Sequence, residues 1–239
     1  AFADANDQLI ATFYNYACHT SSAGYGQVSA DYPGVIAQMI ESQLGGTALY
    51  TRGSCGNIHP SEPAERLGAM LGEQVVQCLK AIEYKPCDAL ASVKEEVNLP
   101  LRDLDPTEMQ RVDYICEKTN ADTAEGRKKY FRACYKRFGA LRAKTDVCPT
   151  FLHAMRIGDA VLVGVPGEQF VQAGLEIKQR SKCANTIIVN LANDSIGYIP
   201  TRKGYAEGGY QTWIGACNIA PQAGEMIVEE SLLLIEKVI

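Results

Sequence analysis

Three side chains that could bind a metal each follow a segment predicted to be a buried strand. His19 ends the first apolar run of the chain. Glu168 follows residues 160–165, and Tyr198 follows residues 186–191. Because ligands of α/β proteins gather where parallel strands end, we expect these side chains to meet at one edge of a sheet. Imidazole and carboxylate suit zinc, and a tyrosine oxygen completes the set because the metal's charge favours the phenolate. Such a site with an open position would polarise a carbonyl and acidify a bound water.

Each of these residues also has a purely structural interpretation. A histidine at the end of a strand is more often structural than a ligand, and Glu168 could simply favour the positive end of a following helix. Tyr198 and Tyr210 could be packed rings with hydroxyls at the surface. The other two histidines, His59 in a loop and His153 within a strand, could have no chemical task. The residues alone therefore indicate a hydrolase-like α/β domain.

The order of the predicted elements is typical of an α/β protein. Residues 8–17 predict a strand, a helical stripe runs from Val35 to Leu44, and residues 47–51 predict a second, buried strand. Strand, helix and strand in this order form a parallel crossover unit. We predict a mixed, mostly parallel central sheet flanked by helices. The remaining elements are a helix near 63–84, a strand near 93–101, a hairpin of 150–157 and 160–165 turned by Gly158-Asp159, a helix at 169–181, a strand at 186–191 and a helix at 223–238.

A long, charged segment of helical pattern separates two of these strands. Residues from about 103 to 146 predict a helical insertion, broken near Asn120–Glu125, and the segment carries no evident catalytic group. The whole chain, 1–239, is therefore predicted to be one domain, the C-terminal portion of a catalytic domain, with this insertion.

Composition excludes several classes of protein. The 23 basic and 28 acidic residues give a net charge of −5, which argues against binding to nucleic acid or to an anionic membrane surface. No apolar run is long enough to span a bilayer, and the N-terminal residues lack the pattern of a signal peptide. The nine cysteines contain no CxxC pair and favour free thiols in a reducing compartment, although a pair such as Cys116–Cys148 is left open.

Five motifs at these positions form a pattern that extends over nearly the whole chain. They are YNYACHT (14–20), SADYPG (29–34), GSCGNIHP (53–60), LHAMRIGDAVLVGVPGEQF (152–170) and NDSIGYIPTRKGYAEGGY (193–210). In joint order and spacing they resemble the neutral, non-lysosomal ceramidase family, in particular its bacterial ceramidase-like members. The resemblance implies a zinc-dependent hydrolase of an N-acyl amide that acts in lipid, and specifically sphingolipid, metabolism.

Carried over to the matching positions, the resemblance implies that His19, Glu168 and Tyr198 are zinc ligands. It implies that Tyr210 donates a hydrogen bond to the substrate carbonyl or to the developing oxyanion, which is the role that electrostatic catalysis requires. Water activated by the metal would then convert the amide to an acid and an amine. Tyr205 and Trp213 are expected to bind substrate, by lining either an acyl groove or a small pocket.

Two departures from the family pattern modify these expectations. The family has a further zinc-ligand histidine in an upstream Gly-x-His-x-His-Ser-Gly-Pro segment that has no counterpart here, so an upstream segment or a second chain is expected to complete the site. The second departure is His59, which stands where the family has a loop serine. His59 is a candidate proton shuttle, an additional ligand or a bystander. The substrate is a small-molecule or lipid amide that the sequence does not identify.

Two alternatives stay open at this point. The first is hydrolysis of a different small amide, a peptide or an ester on the same metal. The second is a metal-free binding module on this fold, for which the replaced serine and the missing ligand would be signs of lost catalysis. Cysteine usage favours the cytoplasm, whereas the family favours secretion or the membrane surface.

Overall fold

A small sheet covered by two helices forms the N-terminal part of the computed structural model, which describes residues 1–21, 26, 28–119 and 121–239. The elements are β1 (Phe2–Ala3), β2 (Leu9–Tyr16), α1 (Asp31–Leu44), β3 (Thr47–Arg52) and α2 (Ala64–Lys80). The sheet has the order β1-β2-β3, and β2 pairs with β3 in parallel across α1, as the crossover pattern predicts. Tyr32, Ile36 and Ile40 of α1 are almost completely buried and form the centre of this part of the core.

A long antiparallel strand pair with a helical connection follows. Its elements are β4 (Leu90–Pro100), α3 (Glu108–Thr119), α4 (Ala121–Arg142) and β5 (Val147–Ile157). Since β4 and β5 pair over their whole length, α3 and α4 stand where the helical insertion is predicted. The segment does divide into two helices near the predicted break at 120–125, but the break is shorter than predicted, because α3 ends at Thr119 and α4 already begins at Ala121. Asn120 lies outside the described residues. Asp122 in the first turn of α4 favours a helix start at this point.

The remaining elements complete a mixed sheet in the order β4-β5-β6-β8. They are β6 (Ala160–Val165), β7 (Glu168–Gln169), α5 (Val171–Arg180), β8 (Asn185–Asn190), β9 (Tyr198–Ile199), α6 (Arg202–Glu207), a short 3₁₀ helix (Tyr210–Thr212) and α7 (Ala223–Val238). β6 pairs with β5 in antiparallel and with β8 in parallel fashion. Helices α5 and α7 cover this sheet, and Leu152, Val163, Ile188 and Ile227 lie in the core between them. The predicted α/β class with a mixed sheet is confirmed, but the expectation of a mostly parallel sheet is wrong for these four strands, which form two antiparallel pairs and one parallel pair.

The strands that precede the three candidate ligands do not share one sheet, contrary to the expectation from the sequence. β6 and β8 are parallel neighbours, but β2 pairs with β1 and β3. The side chain of Asn15 in β2 joins the two sheets: its Nδ2 donates to Thr51 Oγ1 of β3 (3.1 Å) and to the Ile188 carbonyl of β8 (3.0 Å). Alternating apolar residues predict a strand but not its neighbours, so this arrangement has no signal in the periodicity.

The helix that follows Glu168 begins later than predicted. The sequence predicts helix from Gln169, whereas Glu168 and Gln169 form strand β7 and α5 begins at Val171. β7 pairs in parallel with β9, and Glu168 is thereby opposite Tyr198. A strand of two residues has no periodicity that a sequence could reveal. Because Glu168 precedes the first turn of α5, the helix dipole does not account for a carboxylate at this position.

All nine cysteines are free thiols, in agreement with the preference drawn from their spacing. Cys18, Cys55, Cys116, Cys134 and Cys217 are buried, and free cysteine in such places packs as a small hydrophobic side chain. Among the helices of the described residues, none has the length and apolar character needed to cross a membrane.

Replacing Asn15 by alanine is expected to lower the free energy of unfolding by about 1–3 kcal/mol, because it removes the hydrogen bonds that join the two sheets. Urea denaturation followed by circular dichroism measures the change. Asn185→Ala is the matched control, since the exposed Asn185 amide donates one long bond of 3.3 Å to the Asp159 carbonyl. It should change stability by less than about 0.5 kcal/mol. Equal losses in the two variants would contradict the role of Asn15 as the link between the sheets.

Candidate active site

His19 is a buried imidazole whose two nitrogens have different surroundings. The residue follows β2, and its backbone N–H donates to the Ile58 carbonyl at 3.2 Å. It is 8% exposed. Its Nδ1 lies 3.6 Å from Oε2 of Glu168, whereas its Nε2 is buried and has no hydrogen-bond partner among the described residues. A buried polar atom without a partner is costly in free energy, so the position of Nε2 is consistent with a ligand-binding role.

The pairing of β7 with β9 brings Glu168 and Tyr198 together. The two residues are directly opposite in a parallel pairing, which places their side chains on the same face, and the Glu168 N–H donates to the Gly197 carbonyl at 2.9 Å. Burial raises the pKa of the Glu168 carboxyl, and the charge of Arg52 and a hydrogen bond from Tyr198 partly offset this shift. The negative charge of the Glu168 carboxylate is thus only partly neutralised by its neighbours.

Tyr198 is buried, and its hydroxyl shares a short hydrogen bond with the hydroxyl of Tyr210. The two rings meet edge to face with centroids 5.4 Å apart, and Tyr210 is 42% exposed. The Tyr198 ring also meets the His19 ring edge to face at 6.4 Å. Burial, the hydrogen bond with Tyr210 and the charge of Glu168 raise the pKa of Tyr198, so its hydroxyl is protonated at neutral pH unless a cation binds.

His59 lies beside His19 at the surface of the cluster. It is exposed, and the centroids of the two imidazole rings are 4.8 Å apart. Burial lowers the pKa of His19, and the nearby His59 and Arg52 lower it further. His19 is therefore neutral near pH 7, which is the form that binds a metal. The structure thus brings together four predicted side chains, namely His19, Glu168, Tyr198 and His59, with Tyr210 adjoining Tyr198.

The loop 53–59 connects these groups through its backbone. The Gly56 N–H donates to the Gln169 carbonyl at 2.9 Å, and Asn57 Oδ1 accepts the N–H of Val171 at 2.9 Å. A Cβ on Gly56 would lie 2.3 Å from the Glu168 carbonyl oxygen, so this close approach requires glycine. The same loop accepts the His19 N–H, and it therefore sets the distance between the histidine and the glutamate.

Arg52 belongs to the site but was not predicted from the sequence. It is the last residue of β3, and its Nη1 lies 3.8 Å from Oε2 of Glu168. A lone arginine that ends a strand and precedes the glycine-containing loop is the signal that could have identified it. The strand itself was predicted to be buried, which is wrong, because each residue of β3 is exposed or half-buried. The charge of Arg52 favours the ionised form of Glu168 and the neutral form of His19.

Tyr205 and Trp213 lie away from this cluster, in a second cleft of about 460 Å³ that they share with Arg102 and Glu108. The Tyr205 hydroxyl donates to the Ile219 carbonyl. The Trp213 ring packs edge to face on Phe131 of α4 at 5.0 Å. Their part in substrate binding stays a prediction. The remaining histidine, His153 on β5, contacts Ser92 Oγ at 2.8 Å and does not adjoin the cluster.

The donor set of the cluster fits zinc in its chemistry. An imidazole, a carboxylate and a phenol are three donors of the kind that zinc accepts, and the imidazole nitrogen that faces the carboxylate is Nδ1 of His19. The described residues contain no group of three or more His, Cys, Asp or Glu side chains arranged to hold a metal. The cluster reaches three donors only when the tyrosine is counted, and further coordination positions would stay open.

The fold is shared with known ceramidases, although the sequence gives no match: no family model and no curated protein matches the chain. A neutral ceramidase from Pseudomonas aeruginosa superposes with a TM-score of 0.67 at 19% identity, over 99% of this chain and 46% of that one. A ceramidase complexed with C2 gives a TM-score of 0.66 at 17% identity, over 99% and 47%. The chain thus has a ceramidase-like fold and spans about half the length of these solved chains.

Replacing Glu168 by glutamine is expected to stabilise the metal-free protein at pH 7, because burial disfavours the charged carboxylate that glutamine lacks. Between the usual carboxyl pKa of 4.5 and the raised value, the folded protein binds more protons than the unfolded chain. The wild-type protein therefore loses stability as the pH rises through this range, and the advantage of the variant should vanish below pH 4.5.

Urea denaturation at several pH values with excess chelator measures this difference. Glu73→Gln on the exposed face of α2 is the matched control and should change stability by less than about 0.5 kcal/mol. A loss of stability in Glu168→Gln at pH 7 would show instead that Arg52 and His19 fully compensate the buried charge.

Proposed function

We propose that the protein is a zinc-dependent hydrolase that cleaves an N-acyl amide bond. The observation that carries the proposal is the convergence of His19, at the end of β2, with Glu168 and Tyr198 of the strand pair β7–β9: Oε2 of Glu168 lies 3.6 Å from Nδ1 of His19, and the Tyr198 ring meets the His19 ring edge to face. The ceramidase-like fold supports the same reaction class. Hydrolase chemistry, zinc and the amide substrate are all parts of this proposal.

In this proposal His19, Glu168 and Tyr198 hold the metal, and a donor from outside these three residues completes its coordination. Bound zinc would supply a Lewis acid that polarises the carbonyl and lowers the pKa of water. The low pKa of His19 keeps the imidazole available as a ligand at neutral pH. Loss of a proton from Tyr198 requires a nearby cation, because burial and Glu168 both favour the protonated hydroxyl.

Tyr210 is the group best placed to bind the substrate oxygen. Its hydroxyl contacts that of Tyr198 while much of its side chain is exposed, so one end of the residue is fixed and the rest faces incoming molecules. A hydroxyl held in advance of the reaction stabilises the oxyanion of a tetrahedral intermediate without the cost of reorienting solvent.

His59 is the candidate for proton transfer to the departing amine. It is exposed next to the buried cluster, where an imidazole can pass a proton between a reacting group and solvent. The amide C–N bond breaks as the nitrogen gains a proton, and the acyl carbon retains the oxygen of water. The proposal includes ceramide only as one member of the amide class, because His59 replaces the serine of the family pattern.

Two other functions would use the same residues, and experiments can distinguish them from amide hydrolysis. Hydrolysis of a peptide or an ester would need the same metal and the same oxyanion donor. A metal-free binding module would need neither, and the absence of a larger His, Cys, Asp or Glu cluster in the described part of the chain is the observation that favours it.

Glu168→Gln is expected to weaken zinc binding at least about tenfold and to abolish hydrolysis, because a neutral amide oxygen replaces an anionic ligand. Competition with a chromogenic chelator measures zinc affinity, and release of free amine from N-hexanoyl amides measures turnover. Glu73→Gln should retain both. Full zinc binding and turnover in Glu168→Gln would refute the ligand assignment, and a wild-type protein that binds no zinc would favour the binding module.

Tyr210→Phe is expected to keep its zinc and to lose roughly 10²–10³-fold in kcat, the effect typical of removing one oxyanion donor. Steady-state kinetics with parallel elemental analysis measures both properties. Tyr130→Phe, on an exposed part of α4, is the matched control. A Tyr210→Phe variant with normal kcat would exclude this hydroxyl from the reaction.

A further inference from the structure

Arg52 faces the candidate site with unused hydrogen-bond donors. Its side chain is 26% exposed, and in the described part of the chain it makes one ion pair, the 3.8 Å contact with Glu168, and no side-chain hydrogen bond. Other arginines of the protein hold their glutamates more closely: Arg180 at 2.6 Å and Arg202 at 2.7 Å. The Arg52 guanidinium is therefore close enough to Glu168 for their charges to interact, and it keeps hydrogen-bond donors that can bind a second anion.

The free side of Arg52 lines a cleft of about 420 Å³ next to the cluster. Asp31 is the other charged residue of this cleft; it is buried, and its Oδ1 accepts the N–H of Tyr32 at 2.8 Å. An alkyl chain in the cleft would remove water from the polar side chains of the lining without replacing its hydrogen bonds. A small polar portion of the substrate would replace those hydrogen bonds. The further polar residues of the lining are Thr20, Ser21, Ser29 and Asn190, and Ala30, Pro33, Tyr50 and Leu191 form its less polar part.

We propose that Arg52 binds a carboxylate on the amine portion of the substrate, so that the substrates of this protein are N-acyl amino acids. The proposal rests on the proposed amide hydrolase. A guanidinium pairs with a carboxylate through two parallel hydrogen bonds, and this geometry distinguishes a carboxylate from a neutral amide or alcohol. In an N-acyl α-amino acid one carbon separates the carboxylate from the amide nitrogen, which matches the short distance from Arg52 to Glu168.

The reaction is balanced without a further reactant. Water adds its oxygen to the acyl carbon, the C–N bond breaks, and the nitrogen gains a proton. The products are a carboxylic acid and a free amino acid. Arg52 would hold the same carboxylate in the substrate and in the amino-acid product, and it takes no part in the bond changes. It is thus a specificity-determining residue.

The test compares N-hexanoylglycine with its neutral analogue N-hexanoylglycinamide on the zinc-loaded protein. We expect the wild-type kcat/KM to favour the glycine conjugate by at least about tenfold, and Arg52→Met to bring this ratio close to one, mainly through KM. The ratio cancels any general effect of Arg52 on Glu168. Arg66→Met, whose parent side chain is 69% exposed on α2, is the matched control and should keep the wild-type ratio. A wild-type ratio near one, or an unchanged ratio in Arg52→Met, would overturn the proposal.

Ligand binding to the metal-free protein tests the role of Arg52 independently of the proposed hydrolysis. In calorimetric titrations of N-hexanoylglycine into chelator-treated protein, we expect the wild type to bind at least about tenfold more tightly than Arg52→Met. Arg52→Lys should be intermediate, since lysine keeps the charge but not the paired geometry. Equal affinities in the wild type and Arg52→Met would overturn the role of Arg52. The expected affinities without any zinc-dependent turnover would support the carboxylate site and reject the hydrolase.

Discussion

The candidate site depends on holding a half-buried carboxylate and a buried imidazole together. Glu168 and His19 lie 3.6 Å apart, and burial shifts the pKa of each toward its neutral form, upward for the carboxyl and downward for the imidazole. The low local dielectric that disfavours these charges also strengthens their attraction for a cation. Arg52, whose Nη1 lies 3.8 Å from Oε2 of Glu168, neutralises only part of the carboxylate's charge. A further positive charge would therefore stabilise the arrangement.

The backbone gives this arrangement its precision. The loop 53–59 accepts the His19 N–H through Ile58 and donates to Gln169 through Gly56, so that one loop holds both the residue that follows β2 and the strand pair β7–β9. The Asn15 amide joins the sheets a short distance behind it. Long side chains on separate sheets would lose considerable rotamer freedom if side-chain contacts alone aligned them. Here the backbone fixes the positions, and the side chains need only adopt suitable rotamers.

Most of the regular elements could be predicted from the apolar pattern, because strands β2 and β8 and helices α1, α2 and α7 each bury one face and carry the corresponding spacing. Strand β6 is a continuous apolar run that is buried on both faces. The separation of the sheets could not be predicted, since pairing depends on contacts between residues far apart in the chain, such as Asn15 and Ile188. The two-residue strands β7 and β9 are set by tertiary hydrogen bonds alone. Arg52 was missed because the sequence does not show whether a charged residue beside a loop faces solvent or a buried carboxylate.

The site has two unlike sides, and this asymmetry constrains the substrate. On one side Tyr198 and Tyr210 present aromatic rings with joined hydroxyls, and on the other Arg52 and Asn190 belong to a cleft with both polar and apolar lining. In the proposed reaction, an amide held between them would direct one of its two portions into this cleft. A long alkyl chain there would leave the guanidinium and the hydroxyls without hydrogen-bond partners, whereas a carboxylate would pair with the guanidinium. For the proposed amide hydrolysis, this arrangement would place the acyl portion on the tyrosine side and the amine portion on the arginine side, with the scissile bond next to Glu168.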